Sequence, residues 1–217
     1  TMCFTVSFWK RTFSLLMAIA VALCLSPSLG LADTQPVTGT YTIDGSTATS
    51  LYDNDQQNIR ADGTSLIVSS GFTVNKNGNN TVRTDHSGTS YDNFTLINNS
   101  GSVMKTTSST SSNGNNVIKL GTSDTVTITN SGTLSADNDS AIQMSGANNI
   151  NITNNSGGEI LAQANTIDGN STNLTVTNSG KIYITTAGTH TSSVPAGAAM
   201  DLSGATNATI TNNSGGE

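Results

Sequence analysis

Five segments of the chain end in Asn-Ser-Gly after a short run of alternating apolar and polar residues, and this repeat limits the fold more than any other feature. They occupy residues 94–101, 126–132, 150–157, 174–180 and 208–215. Their glycines lie 31, 25, 23 and 35 residues apart, so the unit is near 23 to 25 residues with insertions. Val126 and Ile128, Ile150 and Ile152, and Leu174 and Val176 alternate with Thr or Asn, which is the period of a strand with one buried face. Asn-Ser-Gly then breaks the strand, because Asn tolerates left-handed backbone angles and Gly has no Cβ to clash. A second short strand follows at Leu134, at Ile160, and at Ile182 with Ile184. A third apolar pair precedes most repeats: Ile118 with Leu120, Ile142 with Met144, Met200 with Leu202, and a weaker Ile167.

Three short strands per unit predict an all-β fold, a right-handed parallel β-helix whose coils stack about 4.8 Å apart. A single coil cannot cover its own apolar side chains, so burial between coils, at about 25 cal/mol per Å², is the main driving force. Ile128, Ile152, Val176 and Ile210 are expected in one inward column, with Thr153 pointing outward. Asn130, Asn155, Asn178 and Asn213 are expected to stack as an amide ladder.

Charged residues are only 10% of the chain, yet 34% of residues are hydrophobic and recur in β-branched runs, which separates the chain from disordered polar sequences. All 14 acidic residues follow Ala32, whereas Lys10 and Arg11 precede it. The six later cations, Arg60, Lys76, Arg83, Lys105, Lys119 and Lys181, form no basic stripe, so nucleic acid is excluded as a partner.

Residues 1–32 have the pattern of a secretory signal peptide. Lys10 and Arg11 are the charged end, an apolar core runs over residues 15–25, and Gly30 and Ala32 are the small residues a signal peptidase needs before Asp33. The core is shorter than the ~20 apolar residues of a membrane span. Cleavage between Ala32 and Asp33 removes Cys3 and Cys24, so the mature chain is expected to hold neither disulfide nor thiolate metal site. Leu23 stands where a lipid-attachment cysteine wants a small residue, so Cys24 is taken as an apolar leader residue.

The alternation Ile/Val-Thr-Asn-Ser-Gly with its following apolar residue, as from Ile128 to Leu134 and from Val176 to Ile182, goes with a segment ahead of the repeat such as Ala-Ile-Gln-Met-Ser-Gly at 141–146 or Ala-Met-Asp-Leu-Ser-Gly at 199–204. Together these resemble the N-terminal part of a bacterial autotransporter passenger domain. The likeness covers residues 94–217 and extends more loosely back to Ile59. It implies a signal peptide at 1–32, a cap with irregular first rungs at 33–92, and β-helix repeats at 93–217. It also implies export through the inner membrane and display at the cell surface, or release, with the help of the chain's own C-terminal outer-membrane β-barrel. Met2 follows Thr1, and residues 213–217 match the middle of an earlier repeat, so the sequence is expected to be a fragment.

Few residues suggest chemistry. Asp137 and Asp139 are the one close acidic pair of the repeats, and their Asn and Ser neighbours mark a solvated turn. Asp53, Asp55 and Asp62 could offer oxygen ligands but lack the Gly and the twelfth-position acid of an EF-hand loop. His86 and His190 are far apart and accompany no nucleophile motif. No cofactor, metal or catalytic group is expected. Residues 185–197 lengthen one repeat, and such insertions often form the binding side of a solenoid, so His190, Thr191 and Val194 are the candidates for partner contact. The triplets starting at Asn93, Asn151 and Asn173 fit the glycan-acceptor pattern but follow from composition and turn chemistry.

The function expected is that of an adhesin or structural stalk, meeting surface carbohydrate or protein of a host or neighbouring cell through many weak contacts. A β-helical polysaccharide-active enzyme, or a stalk for a catalytic domain beyond residue 217, is the alternative. Thr127 with Thr129, Thr175 with Thr177 and Thr209 with Thr211 also bring an ice-binding solenoid to mind. The uneven coil length stands against the flat array such a surface needs.

Overall fold

The computed structural model describes residues 34–46, 56–86, 88–107, 115–185 and 197–217, all within the unit Asp33–Glu217. Ala32, Asp33, Asp53, Asp55, His190, Thr191 and Val194 lie outside the described residues.

The described chain is all-β. In order the strands are β1 (Thr34–Val37), β2 (Thr40–Ile43), β3 (Gln56–Ile59), β4 (Ser65–Val68), β5 (Thr73–Asn77) and β6 (Val82–Arg83). A hairpin of β7 (Asp85–His86) and β8 (Thr89–Ser90) precedes β9 (Thr95–Asn98) and β10 (Val103–Thr107). Then come β11 (Ile118–Leu120), β12 (Asp124–Asn130), β13 (Thr133–Ala136), β14 (Ile142–Asn154), β15 (Glu159–Ala162) and β16 (Ile167–Asn178). The last are β17 (Lys181–Ile184), β18 (Met200–Asp201) and β19 (Thr209–Asn212).

Among the described residues every pairing but that of β7 with β8 is parallel, and the pairings fall into three rows. The first row is β1, β3, β6, β11, the start of β14, the start of β16, and β18. The second is β2, β4, β9, β12, the ends of β14 and β16, and β19. The third is β5, β10, β13, β15 and β17. From β3 onward the chain visits the rows in the same cyclic order, and one passage through them is called a circuit below. In β14 the first two rows run on as one strand, with a register shift between Ser145 and Ala147 where Gly146 takes φ 85°.

The apolar columns follow the alternation. Ile128 pairs with Ile152 and Ile152 with Val176, continuing down to Leu96 and Leu66, and all five are buried. Val74, Met104, Leu134, Ile160 and Ile182 form the third-row column, and Val82, Ile118, Ile142 and Ile167 that of the first row. Each such side chain contributes about 1.5–3 kcal/mol when fully covered. Ile210 keeps the expected register over Val176 but is 49% exposed, because the described residues supply β19 with a neighbour on one side only.

The turn after the second row corrects the expected ladder. The stacked amides belong to Asn98, Asn130, Asn154, Asn178 and Asn212, not to Asn155 and Asn213. Alternation carried from Ile150 and Ile152 puts Asn154 inward, while the second Asn of each Asn-Asn pair is part of a longer turn. Asn155 instead donates to Ser131 Oγ at 2.9 Å, and Asn213 to Ser179 Oγ at 2.9 Å.

The glycines used to align the repeat are also of two kinds. Gly101, Gly157 and Gly215 have φ of 76°, 81° and 88°, the left-handed turn residues the sequence suggests. Gly132 and Gly180 are not in that region. There a Cβ would fall 2.4 Å from the Ser102 carbonyl oxygen or 2.2 Å from that of Gly158, so close approach of successive turns requires them.

Candidate functional site

The inner amide ladder is the most regular polar feature. Asn98, Asn130, Asn154 and Asn178 each donate a side-chain N–H to the amide oxygen of the next Asn, at 2.8, 2.8, 2.8 and 2.9 Å. The same nitrogens reach nearby carbonyls, Asn154 for example donating to Gly158 and Lys181 oxygens at 3.2 Å. Asn98, Asn130 and Asn154 are fully buried, so the ladder serves the interior.

A second ladder runs on the outside, at the corner between the first and second rows. Asn93, Thr125, Asn149, Asn173 and Asn207 have φ between 51° and 58°. They are the non-glycine positive-φ positions among the described residues. Asn207 donates to Asn173 at 3.1 Å, Asn173 to Asn149 at 2.9 Å, and Asn149 to Asp124 Oδ1 at 2.6 Å. Asparagine is the non-glycine residue best suited to this backbone region. Sequence reasoning placed the left-handed asparagines in Asn-Ser-Gly and missed this column. Its signal was an Asn directly before the first apolar residue of a second-row strand, as in Asn93-Phe94, Asn149-Ile150 and Asn173-Leu174.

Between the two ladders lies the outward surface of the second row. One column reads Thr40, Ser65, Thr95, Thr127, Asn151, Thr175 and Thr209; its neighbour reads Thr42, Ile67, Ile97, Thr129, Thr153, Thr177 and Thr211. None of these positions is charged and none is aromatic. The other rows differ: Lys105, Glu159 and Lys181 face outward on the third, and Arg83, Lys119, Asp168 and Asp201 occupy one outward column of the first. Among the described residues, no side-chain hydrogen bond engages Thr127, Thr129, Thr153, Thr175, Thr177, Thr209 or Thr211. Threonines in the turns and inner columns behave otherwise, with Thr64, Thr81, Thr106 and Thr166 donating to backbone carbonyls at 2.7–2.8 Å.

The second row is also where coil length stops mattering. Successive ladder asparagines are 32, 24, 24 and 34 residues apart, yet the strands of this row stay in step from β2 to β19. In sequence, residues 108–114 and 186–196 separate a third-row strand from a first-row strand, and the β7–β8 hairpin separates the first row from the second. No insertion falls within a second-row strand.

The residues singled out for chemistry are dispersed. Asp137 and Asp139 lie in a bend, where Asp139 accepts the Asn115 N–H at 3.2 Å and the Ser140 N–H at 2.9 Å. Asp62 accepts the Asp92 N–H at 2.8 Å, and Asp92 that of Asp124 at 2.7 Å, so these three carboxylates mark successive circuits at one corner. Arg83 pairs with Asp85 at 3.1 Å beside the hairpin whose first strand ends at His86. Among the described residues no three His, Cys, Asp or Glu groups are placed to hold a metal ion. Comparison with family models, with characterised proteins and with solved structures returned no match.

Proposed function

We propose that the chain is the β-helical passenger of an autotransporter, wound as a right-handed parallel β-helix with three strands per coil, and that it acts at the cell surface as an adhesin or stalk. The observation that carries this reading is the parallel register of three strand rows, which stacks the same three strand faces circuit upon circuit. Such a rod suits multivalent contact with surface carbohydrate or protein. The leader pattern of residues 1–32 and the absence of cysteine after Cys24 suit export. The chain's own C-terminal outer-membrane β-barrel is the partner that would carry it across.

Export is tested by expressing the full gene and digesting intact cells with a protease. Surface display predicts loss of the rod from whole cells and a mature N-terminus at Asp33 by intact mass. A chain that stays in the cytoplasm with residues 1–32 attached overturns the reading, and a mature species that keeps Cys24 with a lipid replaces the cleavage site.

A further inference from the structure

We propose that the threonine surface of the second row is an ice-binding site, whose ligand is the face of a water crystal. Neighbouring strands lie about 4.8 Å apart and alternate residues along a strand about 6.6 Å apart, so the outward side chains form a two-dimensional lattice of those repeats. Each repeat lies within about a tenth of an oxygen repeat on the faces of hexagonal ice parallel to its long axis. The best-ordered part covers four consecutive strands, with Thr127 and Thr129, Thr153, Thr175 and Thr177, and Thr209 and Thr211 in register.

Three properties select ice among uncharged ligands. From Thr127 to Thr211 the threonine hydroxyls of these four strands make no hydrogen bond to the described residues, so each can join an ordered water layer beside its methyl group. β-Branching restricts χ1, so little rotamer entropy is lost when that layer forms. The columns hold no charge to impose its own hydration shell, and no aromatic ring on which a sugar face could stack, which disfavours polysaccharide. The uneven coil length that counts against a flat array falls at other corners of the circuit. The proposal rests on the parallel winding of the proposed function but not on export, and it is tested in solution.

The experiment measures thermal hysteresis and partition into a growing ice hemisphere for the full chain, for T153K/T177K, and for L161K, which places one lysine outward on the third row. The wild type and L161K should show hysteresis and enter the ice, and T153K/T177K should lose both while its circular dichroism is unchanged. Should the lysine variant unfold, T153V/T177V keeps shape and strand preference and must still lose hysteresis. No hysteresis from folded wild type overturns the proposal, as does full activity in either double variant. Adsorption to microcrystalline chitin or cellulose, lost in the same variants and without any effect on ice, also overturns it and assigns the face to a crystalline polysaccharide.

Discussion

Replacing Asn154 by Ala separates the two readings of the amide ladder. Asn154 accepts from Asn130 and donates to Asn178, both at 2.8 Å, and its nitrogen also reaches the Gly158 and Lys181 carbonyls at 3.2 Å. The neighbours keep some partners: Asn130 still donates to Gly132 and Glu159 oxygens at 3.1 Å, and Asn178 Oδ1 still accepts the Gly180 N–H at 3.2 Å. The loss is therefore two buried amide–amide bonds at about 1–1.5 kcal/mol each, together with the two longer bonds to the Gly158 and Lys181 carbonyls that share the same N–H groups and a small cavity, or at least about 3 kcal/mol in all. For a chain of this size, each kcal/mol is worth about 2–4 °C, so melting followed by far-ultraviolet circular dichroism should fall by roughly 6–12 °C. Asn155→Ala removes one partly exposed bond to Ser131 Oγ and should cost under about 1 kcal/mol. If Asn155→Ala costs as much as Asn154→Ala or more, the inward assignment is wrong by one residue.

Ile152→Asp puts a carboxylate at a fully buried position and should cost several kcal/mol, read as lost β signal and early cleavage in limited proteolysis, whereas Thr153→Asp should leave both unchanged. Thr125 holds φ 58° against its β-branched side chain, so Thr125→Asn should raise stability by about 1 kcal/mol in denaturant titration, and a fall would count against left-handed strain there. Gly169→Ala would set a Cβ 1.9 Å from the Met144 carbonyl oxygen, and hydrogen exchange should show β14 and β16 opening before the rest of the chain.

The strands and their inward faces were legible because alternation is local: Ile128, Ile152 and Val176 each announce their orientation through their own neighbours. The cyclic order of three rows was legible for the same reason, since each circuit repeats its three apolar pairs. What misled was alignment on glycine. Gly132 and Gly157 share the motif Asn-Ser-Gly, but one is required by carbonyl packing and the other by a left-handed turn, and the two turns differ in length. Counting back from the glycine therefore lands on Asn130 in one circuit and on Asn155 rather than Asn154 in the next. Counting forward from the strand avoids the error, because the core fixes the strand while the turn is free to vary.

The candidate surface was harder to see, and the reason lies in how parallel pairing within a row brings residues together. Residues that pair across circuits are 22 to 36 apart in sequence, as Glu159 with Lys181 and Val82 with Ile118 show. A site on such a surface takes one or two residues from each circuit, so it leaves no compact motif. Asp62, Asp92 and Asp124 illustrate this, being scattered in sequence yet joined carboxylate to backbone N–H. Uneven spacing does not prevent such a site from being flat. An insertion alters the distance counted along the chain, but strand pairing sets the distance in space, and hydrogen-bonded register returns each second-row strand to its place whatever lies between. The length of the circuit is then free to change at the corners, while the second row is held to one pattern by its inward Leu, Ile and Val, by the inner ladder at one end and by the outer ladder at the other.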